Sequence, residues 1–154
     1  MAGISCKLAE SGHELSHTVR SHSKGERNMM LDGKKIIITG GGSGIGRATC
    51  VLAAREGADV AVADINPATG AETVEMVKAE GREAVLIEMD TSKKADCERM
   101  AAEAAGAFGT IDGLVCCAIK LVPGRLEELP EADWDMVMDI GLKGYFLCAQ
   151  AAGR

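Results

Sequence analysis

The sequence predicts an α/β fold, a doubly wound parallel sheet of about four strands in the order 3-2-1-4. Two observations predict it. Short runs of β-branched and small apolar residues recur along the chain, and between them lie stretches whose apolar residues repeat with a helical period. Strands that alternate with helices form right-handed crossovers, which build a parallel sheet. The predicted strands are residues 35–39, 58–64, 83–89 and 111–117.

The first strand ends at a glycine cluster. Its spacing is Gly-x-x-x-Gly-x-Gly, from Gly40 through Gly44 to Gly46. Glycines let a ligand approach the main chain, and the N-terminus of the following helix attracts a phosphate. No Gly-Lys-Ser/Thr follows, which excludes a mononucleotide P-loop and leaves a plain strand-to-helix turn as the alternative. We expect a dinucleotide to contact Gly40, Gly42, Ser43, Gly44, Ile45 and Gly46.

The second predicted strand ends in an acid, Asp64, which stands 18 positions after Gly46. Roughly 20 residues is the separation that places a carboxylate against the adenosine ribose of a dinucleotide. A carboxylate accepts hydrogen bonds from the 2′- and 3′-hydroxyls of NAD and repels the 2′-phosphate of NADP. Neither Ser43 nor Ile65 supplies a compensating cation, so NAD is the predicted cofactor. The alternative is an aspartate that only starts the Asn66-Pro67 helix cap.

The helices are predicted from apolar periodicity and capping residues. The first should bury a face formed by Ile45, Ala48, Thr49, Leu52 and Ala53. A second helix is predicted from Pro67 to about Glu80, and Asp90-Thr91-Ser92 is predicted to cap a third. Pro130 opens the last helical stretch, in which Trp134, Val137, Met138, Gly141 and Tyr145 follow a helical spacing, and the aromatic and Met positions are predicted to pack in the core.

Residues 1–30 form a polar tail that we expect to be disordered, ahead of a dinucleotide-binding domain over residues 31–154. The tail lacks the apolar stretch of a secretory signal. Its segment His13-Glu14-Leu15-Ser16-His17 matches the zinc-protease pattern His-Glu-x-x-His. Because all 3 histidines lie in this polar segment, a chance match is favoured and no metal ligand is predicted.

The amino-acid composition indicates which classes of partner and which cellular compartment to expect. The chain has 154 residues, enough for one domain, and a formal net charge of −6 with no basic stripe, so nucleic acid is not an expected partner. No apolar run approaches the roughly 20 residues of a membrane helix. The 6 cysteines lack metal-type spacing and are predicted to be reduced, inert core residues of a cytoplasmic protein.

Three motifs together resemble the short-chain dehydrogenase/reductase family over residues 31–154: Thr39-Gly40-x-x-x-Gly44-Ile45-Gly46 with Asp64, Asp90-Thr91, and the run from Trp134 to Cys148. The resemblance implies an extended Rossmann fold and NAD(P)-dependent hydride transfer between an alcohol and a ketone. It also implies a homo-oligomer, and it places Asp90 and Thr91 beside the adenine. Cys116 stands where the family has the first residue of Asn-Asn-Ala-Gly, and is the last expected cofactor contact.

The sequence also departs from the family. Cys116-Cys117-Ala118-Ile119 replaces Asn-Asn-Ala-Gly, and the branched Ile119 is expected to intrude where a glycine lets the cofactor lie close. Gly141 stands where the family has a catalytic asparagine. The family's serine and Tyr-x-x-x-Lys are absent, because the only tyrosine, Tyr145, has Ala149 four positions later.

The resulting functional prediction is an NAD-dependent short-chain oxidoreductase, present here as a truncated cofactor-binding part. No catalytic residue is assigned, and the chain alone is expected to be inactive or nearly so, since nothing present moves the hydroxyl proton. The partners implied are NAD(H) and, in a complete enzyme, a small alcohol or ketone. The alternative is a non-catalytic NAD-binding or regulatory module.

Overall fold

The computed structural model describes residues 29–154. The zinc-protease pattern at 13–17 and nearly all of the predicted tail lie outside them. The chain forms one parallel sheet of 4 strands in the order β3-β2-β1-β4, which confirms the predicted fold class and strand order. The strands are β1 (Lys35–Thr39), β2 (Asp59–Asp64), β3 (Ala84–Glu88) and β4 (Gly113–Cys116).

Helices cover both faces of the sheet. They are α1 (Gly44–Arg55), α2 (Pro67–Ala79), α3 (Lys94–Phe108), α4 (Glu131–Met138) and α5 (Gly144–Ala152). A 3₁₀ turn at Leu126–Glu128 precedes α4, and a π-helical turn at Asp139–Lys143 joins α4 to α5. In residues 29–154, no helix is both long enough and apolar enough to span a bilayer.

Alternate residues of β1 enter two separate cores, as the two-residue period of a strand requires. Ile36 and Ile38 pack with α1 and α2 on one face. Ile37 packs on the other face with α3 and α5, through residues such as Met100 and Leu147. The sheet is therefore doubly wound and buried on both sides, which explains why its strands are nearly continuous apolar runs.

The buried face of α1 differs from the predicted one. Ile45 is 80% exposed and Leu52 is 59% exposed. The residues that pack inward are the small ones, Gly46, Cys50, Ala53 and Ala54. The start of the helix lies so close to the preceding loop that a Cβ at Gly46 would sit 2.0 Å from the Gly40 carbonyl oxygen. Close packing therefore selects small residues, and the larger side chains turn outward.

Two further expectations about the helices are corrected. Trp134 is 52% exposed and does not belong to the core, whereas Leu147 and Cys148 are buried. The π-helical turn between α4 and α5 has more residues per turn than an α-helix, so the spacing from Trp134 to Tyr145 does not stay on one face. Helix α3 begins at Lys94 with Lys93 as N-cap residue, so Asp90 and its neighbours form the preceding turn and do not cap it.

The predicted cap of α2 is confirmed, because the Asn66 side chain accepts hydrogen bonds from the N–H groups of Ala68 and Thr69.

At the other end of the sheet, Asp59 is a buried carboxylate, 4% exposed, at the first position of β2. It pairs with Lys35 and, at 2.9 Å, with Arg82.

The Asp59 carboxylate also accepts a hydrogen bond of 3.0 Å from the Glu83 N–H. Burial alone would raise the pKa of Asp59, but the hydrogen bonds from Lys35 and Glu83 and the charge of Arg82 outweigh it and hold the pKa below its ordinary value. One carboxylate thus joins the amino ends of β1, β2 and β3.

Replacing Asp59 with asparagine should lower the free energy of unfolding by about 3 kcal/mol at neutral pH, because two cations lose a buried partner. Since folding lowers the pKa of Asp59, its contribution is complete above the unfolded-state pKa of about 4 and is lost as the pH falls through the folded-state value. Urea denaturation at a series of pH values should show the difference from wild type shrinking below about pH 4.

Asp112→Asn is the matched control. Asp112 also bonds Lys34 and the Lys35 N–H, but its side chain is 28% exposed. A clearly smaller loss than that of Asp59→Asn is expected for this more exposed group. Equal losses for the two variants would contradict the role assigned to Asp59.

Candidate functional site

A cleft of about 590 Å³ opens at the carboxyl ends of the strands, above the boundary between β1 and β4. The chain runs from β1 to β2 and β3 on one side of β1 and then crosses back to β4 on its other side, and this reversal of strand order creates a crevice in doubly wound sheets. Residues from the glycine loop, the ends of the strands and α4 line it. They are Gly40, Ser43, Gly44, Ile45, Gly46, Ala63, Asp64, Ile65, Met89, Asp90, Thr91, Cys117, Ala118, Ile119, Lys120, Met136 and Ile140.

The loop between β1 and α1 forms the floor of the cleft. Gly40 has a φ of +66°, and a Cβ there would lie 2.7 Å from the Ala118 nitrogen, so both backbone angle and space require glycine. Gly44 has a φ of +51°, and a Cβ built there would meet nothing within 4 Å. The loop is therefore tight against β4 and open toward the cleft.

The N-terminus of α1 points into this open space. Ser43 is the N-cap residue, but its side chain makes no capping hydrogen bond, and the first turn contains no acidic residue. The first N–H groups of a helix have no intrahelical acceptor, and with the helix dipole they attract an anion. The start of α1 therefore suits a phosphate group.

Asp64 is fixed at the edge of the cleft by two main-chain donors. Its Oδ2 accepts a hydrogen bond of 2.8 Å from the Gly42 N–H, and its Oδ1 accepts one of 2.9 Å from the Asn66 N–H. The second bond shows that Asp64 also supports the turn into α2, which was the alternative interpretation of this residue. Gly42 itself does not line the cleft, but a Cβ there would lie 2.8 Å from the Asp64 carboxylate.

Arg47, the cation nearest the glycine loop in sequence, is directed away from the cleft. Its guanidinium donates to the Thr69 carbonyl at 3.1 Å and to the Glu72 carboxylate at 2.8 Å, and its Nε donates to the Thr73 hydroxyl at 3.0 Å. Arg47 thereby joins α1 to α2 and leaves the charge of Asp64 without a cation from this helix.

Asp90 and Thr91 line the cleft beyond β3. Burial opposes ionisation of Asp90, but hydrogen bonds from the Ser92 hydroxyl and N–H, with the charge of Lys93, hold its pKa below the ordinary value. Thr91 is buried, and its hydroxyl donates to the Ile140 carbonyl at 3.4 Å. A Cβ at Gly144 would lie 3.0 Å from Thr91, so the start of α5 packs directly on this loop.

The two cysteines at the end of β4 face opposite sides of the sheet. Cys117 lines the cleft, but Cys116 does not, contrary to the position expected for a cofactor contact. Cys116 packs in the core formed with α3 and α5, because adjacent strand residues alternate between faces. Ile119 also lines the cleft, with 60% of its surface exposed.

The sequence motifs do not predict several of the residues that line the cleft. Lys120 lies four positions after the end of β4, and its place beyond the carboxyl end of a strand is the one signal that could have indicated it. Met136 and Ile140 reach the cleft from distant helical turns, and no local pattern marks them. Thr39 is buried beneath the cleft. Its hydroxyl oxygen accepts hydrogen bonds from the N–H groups of Cys117 at 3.2 Å and Ala118 at 3.4 Å.

Comparison with known proteins identifies the family. The short chain dehydrogenase family model matches residues 34–154. An uncharacterized oxidoreductase from Thermotoga maritima is 41% identical over 124 residues, which cover 80% of this chain and 49% of that protein. This chain belongs to the short-chain dehydrogenase family.

Solved structures of short-chain dehydrogenases agree with the fold. One from Mycobacterium paratuberculosis, bound to NAD, has a TM-score of 0.77 and 29% identity, with 80% of this chain and 50% of that chain covered. One from Burkholderia cenocepacia, in complex with NADP, has a TM-score of 0.77 and 33% identity, with 80% and 51% covered. This chain spans about half the length of the relatives it matches.

Tyr145 lies in α5 and is partly buried. Burial raises the pKa of its phenol, and the neighbouring Cys116 and Cys117 act in the same direction. A tyrosine that transfers a proton near neutral pH needs the opposite shift.

Thr39→Val should lower the free energy of unfolding by about 1 kcal/mol, because it keeps the shape of the side chain but removes the hydroxyl acceptor of the Ala118 N–H, whereas the Cys117 N–H keeps the Thr39 carbonyl at 3.1 Å as its acceptor. Urea denaturation measures the loss. Thr110→Val, at an exposed loop position, is the control and should change stability by less than about 0.5 kcal/mol. Equal stability of Thr39→Val and wild type would show that the hydroxyl does not hold the floor of the cleft.

Proposed function

We propose that residues 31–154 bind NAD(H) in this cleft and form the cofactor-binding part of an oxidoreductase that transfers hydride between an alcohol and a ketone. The observation that carries the proposal is the carboxylate of Asp64, held by two main-chain N–H groups beside an open glycine loop and an uncapped helix N-terminus. Family membership supplies the reaction class.

The residues of the cleft suit the parts of such a dinucleotide. The glycine loop and the first N–H groups of α1 would hold the pyrophosphate. Asp64 would accept hydrogen bonds from the adenosine ribose, and Asp90 and Thr91 would lie beside the adenine. The nicotinamide, when bound, supplies the hydride chemistry, while the protein orients it and excludes water.

The charges around Asp64 favour NAD over NADP. The carboxylate is fixed by hydrogen bonds, so it cannot turn away from a 2′-phosphate. Arg47 is bound to α2, and Lys120, which does line the cleft, follows β4 on the far side of β1 from Asp64. A phosphate beside Asp64 would therefore meet an uncompensated negative charge.

Fluorescence titration should give saturable NADH binding and at least tenfold weaker NADPH binding. Asp64→Asn should weaken NADH binding about tenfold, because a hydrogen bond to a charged group contributes about 1.5–3 kcal/mol and 1.4 kcal/mol corresponds to a factor of ten. The same variant should bind NADPH no more weakly than wild type does, since the repulsion is removed. Equal affinity of the wild-type chain for both cofactors would contradict the assignment.

Gly42→Ala tests the support of Asp64 without touching its chemistry. The new Cβ would lie 2.6 Å from the Thr69 hydroxyl oxygen and 2.8 Å from the Asp64 carboxylate and would displace both, so NADH binding should weaken while the variant still melts cooperatively. Asp112→Asn lies at the opposite end of the sheet and should leave NADH affinity unchanged, which makes it the matched charge-removing control.

This chain alone should show no turnover with NAD and a panel of secondary alcohols. Hydride transfer from a carbinol carbon requires a group that takes the hydroxyl proton, and the family's Tyr-x-x-x-Lys is not in the sequence. The only tyrosine has a raised pKa. NADH absorbance should stay at the level of the enzyme-free blank, and clear accumulation of NADH would overturn this proposal.

A non-catalytic NAD-binding module is the second candidate, favoured by the same missing residues. Sequencing the gene beyond the Arg154 codon separates the two candidates, because an in-frame serine and Tyr-x-x-x-Lys belong to the oxidoreductase.

The five cysteines among residues 29–154 are free thiols. This favours a reducing compartment, the cytoplasm. A homo-oligomer is expected from the family, and size-exclusion chromatography with light scattering tests it.

A further inference from the structure

The two sides of the cleft offer different chemical groups to a ligand. On the side of β2 and β3 lie the carboxylates of Asp64 and Asp90 and the hydroxyl of Thr91. On the other side of β1, beyond the end of β4, the cleft is lined by the segment Cys117-Ala118-Ile119-Lys120, which we call the β4 wall. A dinucleotide with its pyrophosphate at the glycine loop and its adenosine at Asp64 extends its second nucleoside along this wall.

The β4 wall presents few hydrogen-bonding groups to that nucleoside. The N–H groups of Cys117 and Ala118 donate to the Thr39 hydroxyl beneath the cleft, at 3.2 Å and 3.4 Å. The side chains of the wall are a thiol, a methyl group, a branched alkyl group and one ammonium group. A thiol forms only weak hydrogen bonds, and an ammonium group cannot accept one. A carboxamide, which both donates and accepts, is therefore poorly matched by these side chains.

Ile119 narrows the cleft on this side. Its side chain lines the cleft and is 60% exposed. Because it is branched at Cβ, it has few rotamers and cannot readily turn aside. The backbone cannot withdraw either, since the end of the wall is in contact with the glycine loop: a Cβ on Gly40 would lie 2.7 Å from the Ala118 nitrogen. Ile119 is therefore a fixed apolar obstacle beside the second nucleoside.

The groups on the opposite side are already in position for a ligand. The Asp64 carboxylate is held by the N–H groups of Gly42 and Asn66, and the first N–H groups of α1 have no side-chain cap. Groups that are fixed before binding lose little entropy when they bind. A nicotinamide, in contrast, would have to be immobilised against an alkyl side chain, and this ordering costs free energy without a new hydrogen bond to offset it.

We propose that the cleft recognises the ADP-ribose half of NAD(H), and that Ile119 prevents the nicotinamide from adding to the affinity. This inference rests on the proposed function, because it takes the pyrophosphate to lie at α1 and the adenosine at Asp64. The ligand class is an adenosine diphosphate that carries a ribose on its second phosphate, with or without a nicotinamide. Free ADP-ribose should therefore occupy the cleft as readily as NADH does.

Isothermal titration calorimetry of the full chain measures NADH, ADP-ribose and AMP separately. The dissociation constants of NADH and ADP-ribose should agree within about threefold, whereas AMP should bind about tenfold more weakly because it lacks the second phosphate at α1. Asp64→Asn should weaken the binding of NADH and ADP-ribose by the same factor, about tenfold, if both occupy this cleft.

Ile119→Ala removes the obstacle and retains a Cβ, so the backbone keeps the preferences of a non-glycine residue. NADH binding should strengthen about fivefold in this variant, while the affinity for ADP-ribose should not change. Leu121→Ala is the matched control, since Leu121 is an apolar residue of the same loop, 74% exposed, that does not line the cleft. It should leave both affinities at the wild-type values. Each variant is first checked for a cooperative thermal transition.

Two results would overturn this inference and leave the proposed function intact. One is NADH binding to the wild-type chain more than about threefold tighter than ADP-ribose binding. The other is unchanged or weaker NADH binding in folded Ile119→Ala, which would show that Ile119 does not obstruct the nicotinamide. If neither ligand binds to a folded wild-type chain, the proposed function itself fails, and this inference fails with it.

Discussion

No side chain fits between the glycine loop and the start of α1, and the site depends on this. A Cβ at Gly46 would lie 2.0 Å from the Gly40 carbonyl oxygen, far inside any permitted contact. Because nothing separates loop and helix, the first turn of α1 sits directly over the end of β1. The unpaired N–H groups of that turn face the crevice that the reversal of strand order opens. Without this approach the sheet would remain, but its carboxyl edge would lack these N–H groups.

Local sequence patterns predict some features of the structure, but they do not predict which face of α1 is buried against the sheet. The positions of the strands, the glycine loop and the α2 cap follow from local patterns, since each depends on residues adjacent in the chain. The buried face of α1 does not. Apolar periodicity selects Ile45 and Leu52, but the space beneath the helix admits only small residues, so both larger side chains are exposed. A hydrophobic residue is buried only where there is room for it.

The other differences arise from contacts between distant segments. Trp134 keeps its predicted helical spacing but loses its predicted face, because a π-helical turn that no sequence pattern indicates intervenes before α5. Cys116 stands where the family resemblance predicts a cofactor contact, but strand alternation directs it to the opposite core. For Asp64 the sequence leaves two roles open, binding of the adenosine ribose or the start of the α2 cap. In the structure its carboxylate supports the turn into α2 and also lies beside the cleft.

The two ends of the sheet are built differently. At the amino ends, Asp59 joins β1, β2 and β3, and Asp112 bonds the Lys35 N–H just before β4, so all four strands are tied by charged groups. At the carboxyl ends, glycines and loops surround an open crevice. Sequence change should therefore have separate consequences at the two ends: altered stability at one, and an altered lining of the crevice at the other. The residues that line the crevice can change without rebuilding the part of the fold that keeps the strands in register.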